Sequence, residues 1–200
     1  MSPGMLRAME ELARVLYEED AIQDRVRELG EQITRDYAGK DPVLVSVLKG
    51  GVWFLADLLK SIDCHVRMDF ISISSYRGRE ESGGHVRILK DLEEDIGGDH
   101  VIVVEDIVDT GLTLAYLLSV LESREPASLE VCALLDKSVR RITPLDVRYR
   151  GFDCPDRFIV GYGLDYAERY RNLPFILEVD PHRLEAEPMA LVPYLNGVTA

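Results

Sequence analysis

The chain has 200 residues, of which 46% are hydrophobic, and is therefore long enough for one domain with its own core. Its 36 acidic and 23 basic residues give a net charge of −13, which disfavours general binding to nucleic acids or to anionic membranes. The sequence has no apolar stretch of about 18 residues, no signal-peptide pattern and no paired spacing among its three cysteines. We therefore expect a cytoplasmic protein without nucleic-acid or membrane partners.

The first half of the chain predicts two helices and a series of strands. A short strand at 15–17 precedes an amphipathic helix over about 19–37, where apolar residues recur every three or four positions. The continuous apolar run 42–48 is typical of a strand buried on both faces, and the glycine pair that follows it begins a second helix. A strand at about 65–76, a polar loop at 77–84 and a return strand at 86–91 predict a long hairpin.

The second half predicts a buried strand at 101–107 with a helix at 112–121, and then another buried strand at 129–135. Shorter strands are expected at 147–150, 158–160 and 175–179, and the proline-bearing tail is expected to be irregular. Buried strands that alternate with helices predict an α/β fold with a mostly parallel central sheet flanked by helices. Ligands of such sheets bind beyond the carboxyl ends of the strands.

The segment 101–113 carries the strongest functional pattern. Its apolar strand ends in two adjacent acids, Glu105 and Asp106, which can hold ribose hydroxyls or a divalent metal ion. The turn after them begins a helix, whose N-terminal N–H groups suit a phosphate. This turn consists of Asp109, Thr110, Gly111, Leu112 and Thr113. A simpler interpretation makes Asp109 an ordinary helix cap, but it leaves the two acids unexplained.

This segment resembles the phosphoribosyl diphosphate (PRPP) signature of the type I phosphoribosyltransferases, in the form found in their 6-oxopurine branch. The resemblance covers about 15–180. It implies a single phosphoribosyltransferase domain over 1–200, with a core at about 40–155 and a small base-binding hood formed by about 15–38 and 156–180. It also implies Mg²⁺ as cofactor, PRPP, hypoxanthine or guanine, and diphosphate as small-molecule partners, and a homodimer or homotetramer.

The resemblance assigns further residues to PRPP. Lys49 and Gly50 match the diphosphate loop, in which the peptide bond before the lysine can be cis. Ser75 and Tyr76 match a lid that closes over the diphosphate, and Arg171 would meet the leaving diphosphate. The simpler interpretations are a plain strand-helix turn with a solvent-exposed lysine and a solvent-exposed hairpin tip.

Purine recognition is assigned to another set of residues by the same resemblance. Lys137 would donate to the 6-oxo group, Phe158 would stack on the ring, and the backbone around Ile159 and Asp165 would read the base edge. Asp165 would also help Glu105 and Asp106 to hold Mg²⁺. The simpler interpretations are a solvent-exposed Lys137, core packing for Phe158 and a surface ion pair between Asp165 and Arg171.

The implied chemistry places three residues in catalysis. Asp109 would act at N7 of the purine as a general base or hydrogen-bond partner, alongside Lys137 and Arg171. The chain departs from some relatives at Leu112 and Arg157, where those relatives carry a basic residue and a lysine. Two rival functions stay open: a phosphoribosyltransferase for xanthine or a pyrimidine, and a regulator of the same fold that binds RNA or DNA.

Overall fold

The computed structural model describes residues 12–76 and 85–195, which divide into two compact units. The six-stranded unit lies within Val26–Pro155, and the three-stranded unit consists of residues 12–25 and 156–195. The strands are β1 (Ala13–Tyr17), β2 (Val43–Leu48), β3 (Arg67–Tyr76), β4 (His85–Lys90), β5 (His100–Val108), β6 (Ser128–Asp136), β7 (Tyr149–Asp153), β8 (Phe158–Val160) and β9 (Ile176–Val179). The helices are α1 (Glu19–Asp36), α2 (Val52–Lys60), α3 (Leu112–Glu122), α4 (Pro181–Ala186) and α5 (Val192–Leu195).

The six-stranded unit has the strand order β4-β3-β2-β5-β6-β7. Only the β3–β4 pair is antiparallel among these neighbours, and α2 and α3 pack against the parallel strands. The predicted fold class, a mostly parallel sheet flanked by helices, is therefore confirmed. The carboxyl ends of β2, β5 and β6 lie at one edge of this sheet, where a ligand site is expected.

Burial on both faces explains why the apolar runs form the central strands. Every residue of Val101–Val104 is fully buried, and so are Leu44 and Val45 in the neighbouring strand. Burying a branched side chain of this kind contributes about 1.5–3 kcal/mol, so a register shift would be costly. One core cluster of this unit consists of Val43, Val45, Val47, Ile71, Ile96, Val101, Val103, Val108, Leu114, Leu117, Leu121, Val131, Ala133 and Val147.

The three-stranded unit has the order β1-β9-β8 with antiparallel pairing. The tail after β9 was expected to be irregular, and this prediction is wrong, because α4 and α5 follow. Pro181 stands at the first turn of α4, where a missing N–H costs nothing, and the Asp180 side chain caps the helix by accepting from the His182 N–H at 2.9 Å. Leu184 and Tyr194 are buried in the core of this unit.

Strand β7 also differs from its prediction. It was expected at 147–150 but runs over Tyr149–Asp153, because its extent follows pairing with β6, from Cys132 opposite Tyr149 to Asp136 opposite Asp153. The predicted lid loop, 77–84, and the first eleven residues lie outside the described part of the chain. Over residues 12–76 and 85–195, the structure contains no helix that is long and apolar enough to cross a membrane.

Candidate active site

Three predicted site segments meet at one edge of the six-stranded sheet because their strands are parallel neighbours. Lys49 follows β2, the acidic segment forms the end of β5, and Lys137 follows β6. The Lys137 N–H donates to the Val108 carbonyl at 2.9 Å, which fixes the end of β6 to the end of β5. The sequence-based expectation that these segments share an edge is therefore confirmed.

The turn between β5 and α3 borders a cavity of about 240 Å³. Gly111 is the N-cap of α3, with φ of 83°, a left-handed conformation that glycine adopts without strain. Asp109 therefore does not cap the helix, and the simpler interpretation of this acid is wrong. The first-turn N–H groups of α3 lie at the cavity without a side-chain cap, as an anion site requires. The cavity is lined by Val47, Ile73, Glu105, Ile107, Val108, Asp109, Thr110, Gly111, Thr113 and Leu114.

Asp109 lines this cavity with a half-buried side chain. Its Oδ1 atom is buried and lies 3.2 Å from Nε of Arg140, which belongs to the short 3₁₀ turn Ser138–Arg140 after Lys137. The contact is an ion pair without good hydrogen-bond geometry. The acid predicted to act on the purine thus has a cationic neighbour that sequence reasoning did not identify.

The two adjacent acids of β5 have different surroundings, since successive strand residues point to opposite faces. Glu105 lines the cavity, whereas Asp106 lies against Gly50 in the loop after β2. The Asp106 Oδ1 atom also accepts the Ile107 N–H at 2.8 Å. Burial, and then the negative charge of Asp106, raise the pKa of the Glu105 carboxyl well above its ordinary value.

The raised pKa of Glu105 predicts a cost in stability that depends on pH. Because this pKa is raised on folding, the charged form penalises the folded state, and stability is lost as pH rises from about 4.3, the unfolded value, through the folded pKa. We expect Glu105→Gln to raise Tm at pH 7, by about 2–4 °C for each kcal/mol of relief. Scanning calorimetry measures this shift.

A matched control for this variant is Glu122→Gln, on the exposed end of α3. The Tm gain of Glu105→Gln should shrink as pH falls towards about 4, where the wild-type carboxyl is also neutral. An equal gain at both pH values, or an equal gain in the control, would contradict the explanation by burial and neighbouring charge.

The loop after β2 packs closely against the acids of β5. The Leu48–Lys49 peptide bond is cis, as the resemblance predicted, and Lys49 is exposed. A Cβ atom on Gly50 would overlap the Asp106 carboxylate, with Cγ only 2.6 Å away. Glycine at this position therefore lets the diphosphate loop lie directly on the acid predicted to hold the ribose and the metal.

Gly50→Ala is expected to displace Asp106 and to lower PRPP-dependent turnover by about 10²-fold, the scale of loss for a shift of about 1 Å in a positioned group. Steady-state kinetics with varied PRPP measure the effect. Gly97→Ala is the control, because its added Cβ would lie 3.4 Å from the nearest atom, an ordinary contact. Similar losses in both variants would show that the close contact with Asp106 is unimportant.

Lys137 is buried, with 7% exposure, so the simpler interpretation of a solvent-exposed strand-end lysine is wrong. Asp136 before it is also buried and forms an ion pair with Arg141, and Nε of Arg150 lies 3.6 Å from its second oxygen. A buried ammonium needs hydrogen-bond acceptors, and a substrate oxygen at this strand end can be one of them. This environment fits the predicted recognition of a 6-oxo group.

The three-stranded unit contains the other predicted purine residues. Phe158 is 38% exposed and meets Tyr166 edge-to-face, with ring centroids 5.9 Å apart, whereas the Ile159 side chain is buried. A half-exposed aromatic ring suits stacking on a base. A cavity of about 470 Å³ in this unit includes Phe158 in its lining, but its two arginines, Arg14 and Arg157, both pair with Glu178.

Asp165 and Arg171 form the ion pair of the simpler interpretation, at 2.8 Å, but it is not a surface pair, because the two side chains are only 28% and 17% exposed. Arg171 also donates to the Gly163 carbonyl at 2.7 Å, and Asp165 accepts the Glu168 N–H at 2.8 Å. Their assignments to Mg²⁺ and to diphosphate stay predictions.

Two of the predicted PRPP residues belong to the predicted lid. Ser75 and Tyr76 end β3 and pair through their backbones with Val86 and His85 of β4, so they stand at the tip of the described hairpin. The loop that would close over the diphosphate, 77–84, lies outside the described residues. The predicted contacts of the two hydroxyls with PRPP stay predictions.

Comparisons with known proteins agree with this geometry. The family model for the phosphoribosyl transferase domain matches residues 14–167. The chain belongs to the phosphoribosyltransferase family. A hypoxanthine-guanine phosphoribosyltransferase from Streptococcus agalactiae serotype V is 51% identical over 166 residues, which cover 83% of this chain and 92% of the relative.

Solved phosphoribosyltransferases extend the likeness to structure. A hypoxanthine-guanine phosphoribosyltransferase from Bacillus anthracis matches with a TM-score of 0.81 and 49% identity, covering 85% of this chain and all of the other. A hypoxanthine phosphoribosyltransferase from Staphylococcus aureus matches with a TM-score of 0.82 and 46% identity, covering 88% and 96%. The predicted family and its 6-oxopurine branch are confirmed.

Proposed function

We propose that this chain transfers the 5-phosphoribosyl group of PRPP to N9 of hypoxanthine or guanine, giving IMP or GMP and diphosphate. The observation that carries the proposal is the pairing of two features at one sheet edge. A cavity with an uncapped helix start lies beside the acids of β5, and a buried Lys137 lies at the next strand end. The close relatives named above support the same reaction.

The phosphoribosyl donor is held by the turn before α3 and by the acids. The 5-phosphate binds at the N–H groups of the first helical turn, and the hydroxyls of Thr110 and Thr113 add donors. Glu105 and Asp106 orient the ribose hydroxyls at the end of β5. Lys49 stabilises charge that develops on the departing diphosphate, because an oxocarbenium-like transition state moves negative charge onto that group.

The residues present fit a magnesium ion that is held partly by the protein and partly by the substrate, rather than one coordinated by protein groups alone. Among the described residues, no group of three or more acidic, histidine or cysteine side chains could hold a metal. Mg²⁺ is commonly held by one or two carboxylates together with substrate phosphates and water. Glu105 and Asp106 would provide those carboxylates, whereas Asp165 belongs to the other unit and its predicted role as a ligand stays a prediction. When bound, the ion supplies neutralising charge for the diphosphate oxygens.

Purine selection follows from donor and acceptor chemistry. The Lys137 ammonium only donates, and a 6-oxo oxygen only accepts, whereas the 6-amino group of adenine would turn its own N–H donors towards the ammonium. Two donors that face each other in a buried position cannot form a hydrogen bond, so adenine is rejected. Asp109 takes or shares the proton of the imidazole edge at N7 as N9 bonds to the ribose. Phe158, Ile159 and Asp165 belong to the other unit, and their predicted contacts with the base stay predictions.

The test is nucleotide formation by the purified chain with PRPP and Mg²⁺, followed by absorbance, with hypoxanthine, guanine, xanthine, adenine and uracil supplied separately. Turnover with hypoxanthine or guanine but not adenine is expected. Turnover with uracil alone, or PRPP binding without turnover, would overturn the proposal in favour of the rival functions. Light scattering of the same sample tests the expected homodimer or homotetramer, and the chain is expected to act in the cytosol without nucleic acid.

A further inference from the structure

The segment after Lys137 holds the phosphate-binding turn in three ways. The Ile142 N–H donates to the Thr110 carbonyl at 2.9 Å. The position of a Cβ on Gly111 lies 2.9 Å from both Cδ of Arg141 and Cδ1 of Leu145, so the two segments are in close packing. Finally, Nε of Arg140 lies 3.2 Å from Oδ1 of Asp109. The first two contacts shape the turn, but the third acts on the side chain proposed to do chemistry.

The ion pair gives the two carboxylate oxygens of Asp109 different surroundings. Oδ1 is buried and faces Arg140, yet the whole side chain is 45% exposed. The exposure therefore lies on the remainder of the side chain, which includes Oδ2. A carboxylate on a short side chain can rotate, and attraction to a cation on one side favours the rotamer in which the other oxygen faces the cavity.

The neighbouring arginine, Arg141, has a different partner. Arg141 is largely buried and forms an ion pair with Asp136, so it fastens the turn to the end of β6. Arg140 is 46% exposed, and the Arg140 N–H is bonded to the Lys137 carbonyl at 2.9 Å. Because main-chain bonds and Arg141 hold the turn, removal of the Arg140 side chain should leave the fold in place.

We propose that Arg140 is a positioning residue for Asp109: it holds the inner carboxylate oxygen so that the outer oxygen meets the purine imidazole edge. This inference rests on the proposed function, since it assumes that Asp109 acts on the base. Arg140 acts through Asp109 and needs no contact with PRPP. A direct role in binding a phosphate of PRPP is the competing explanation, because Arg140 is a half-exposed cation beside the cavity.

The two explanations predict different kinetics. A positioning role predicts that Arg140→Ala lowers kcat by about tenfold or more while KM for PRPP stays within about twofold. It also predicts partial recovery in Arg140→Lys, which keeps the charge but not the planar guanidinium. A phosphate-binding role predicts instead a raised KM for PRPP with kcat preserved.

A double-mutant cycle with Asp109→Asn gives the sharpest test. If Arg140 acts through Asp109, then Arg140→Ala added to Asp109→Asn should lower kcat by less than about twofold further, because the group it positions is already inactive. An equal loss in both backgrounds would overturn the inference, and so would a wild-type kcat in Arg140→Ala. Thermal unfolding of each variant verifies the fold. If the alanine variant does not fold, the double-mutant cycle is measured with Arg140→Lys in its place.

Arg67→Ala is the matched control. Arg67 is 44% exposed and pairs with Asp99 at 2.6 Å, but it lies at the start of β3, at the opposite edge of the sheet. Its removal should leave kcat unchanged. An inactive wild-type chain would overturn the proposed function and the inference together, whereas an active wild type with an unaffected Arg140→Ala variant would overturn the inference alone.

Discussion

Asp109→Asn is expected to lower kcat by about 10²- to 10⁴-fold with hypoxanthine or guanine, while KM for PRPP changes by less than about threefold. The substitution keeps the shape of the side chain but removes its negative charge and its capacity to accept a proton. PRPP binding should persist, because the 5-phosphate is expected to meet backbone N–H groups and threonine hydroxyls of the turn, which line the cavity, rather than this carboxylate. Steady-state kinetics with each substrate varied separate the two parameters.

The control for this variant is Asp99→Asn, since Asp99 forms an ion pair with Arg67 away from the cavity. It should retain wild-type kcat, and both variants should have similar Tm values. If Asp109→Asn raised KM for PRPP as much as it lowered kcat, then Asp109 would be a PRPP ligand rather than a group that acts on the purine.

Lys137→Met is expected to lower kcat/KM for hypoxanthine and guanine by about 10²-fold or more and to reduce the preference for 6-oxopurines over adenine. Methionine keeps an unbranched apolar side chain of similar volume in this buried position but has no ammonium to donate. The N–H donors of the adenine 6-amino group then no longer face an ammonium, so the relative rate with adenine should rise. Competition between hypoxanthine and adenine for limiting PRPP measures the ratio directly.

Lys60→Met serves as the control, because Lys60 ends α2 and pairs with Asp57 on the surface. It should change neither rate nor ratio. A Lys137→Met variant that loses activity equally with all purines, without a change in the ratio, would assign Lys137 to folding or PRPP binding and not to base selection.

The central strands could be predicted from sequence because burial on both faces leaves a continuous apolar run. The predicted strand 101–107 becomes His100–Val108, and 129–135 becomes Ser128–Asp136, so each boundary moves by one residue. The helix at 19–37 ends one residue earlier than expected, at Asp36. Where an element is set instead by its partner, as β7 is by β6, local pattern gave the wrong bounds.

The residues of the candidate site also differ in whether local sequence pattern could predict them. Acids, glycines and Lys137 at strand ends could be predicted because their positions follow from local pattern and parallel pairing. The contacts of Arg140 and Arg141 could not, because a pair of adjacent arginines in a polar turn has many possible partners, and only the folded chain selects Asp109 and Asp136. Their position, just after the lysine at a strand end, was the only signal in the sequence.

The pairing of β1 with β9 has a consequence for synthesis on the ribosome. Ala13 pairs with Val179, and the Tyr194 hydroxyl donates to the Ala13 carbonyl at 3.1 Å. Strand β1 is therefore synthesised early, but its partners are among the last residues of the described chain to be synthesised. Residues 26–155 are contiguous and contain all six strands of their sheet, and they can begin to fold while β8 and β9 are still unmade. During that interval β1 is an unpaired strand edge, open to aggregation or to capture by chaperones. A truncated, released chain that ends at residue 155 should therefore already protect the edge predicted to bind PRPP from proteolysis, while its first strand is still cleaved.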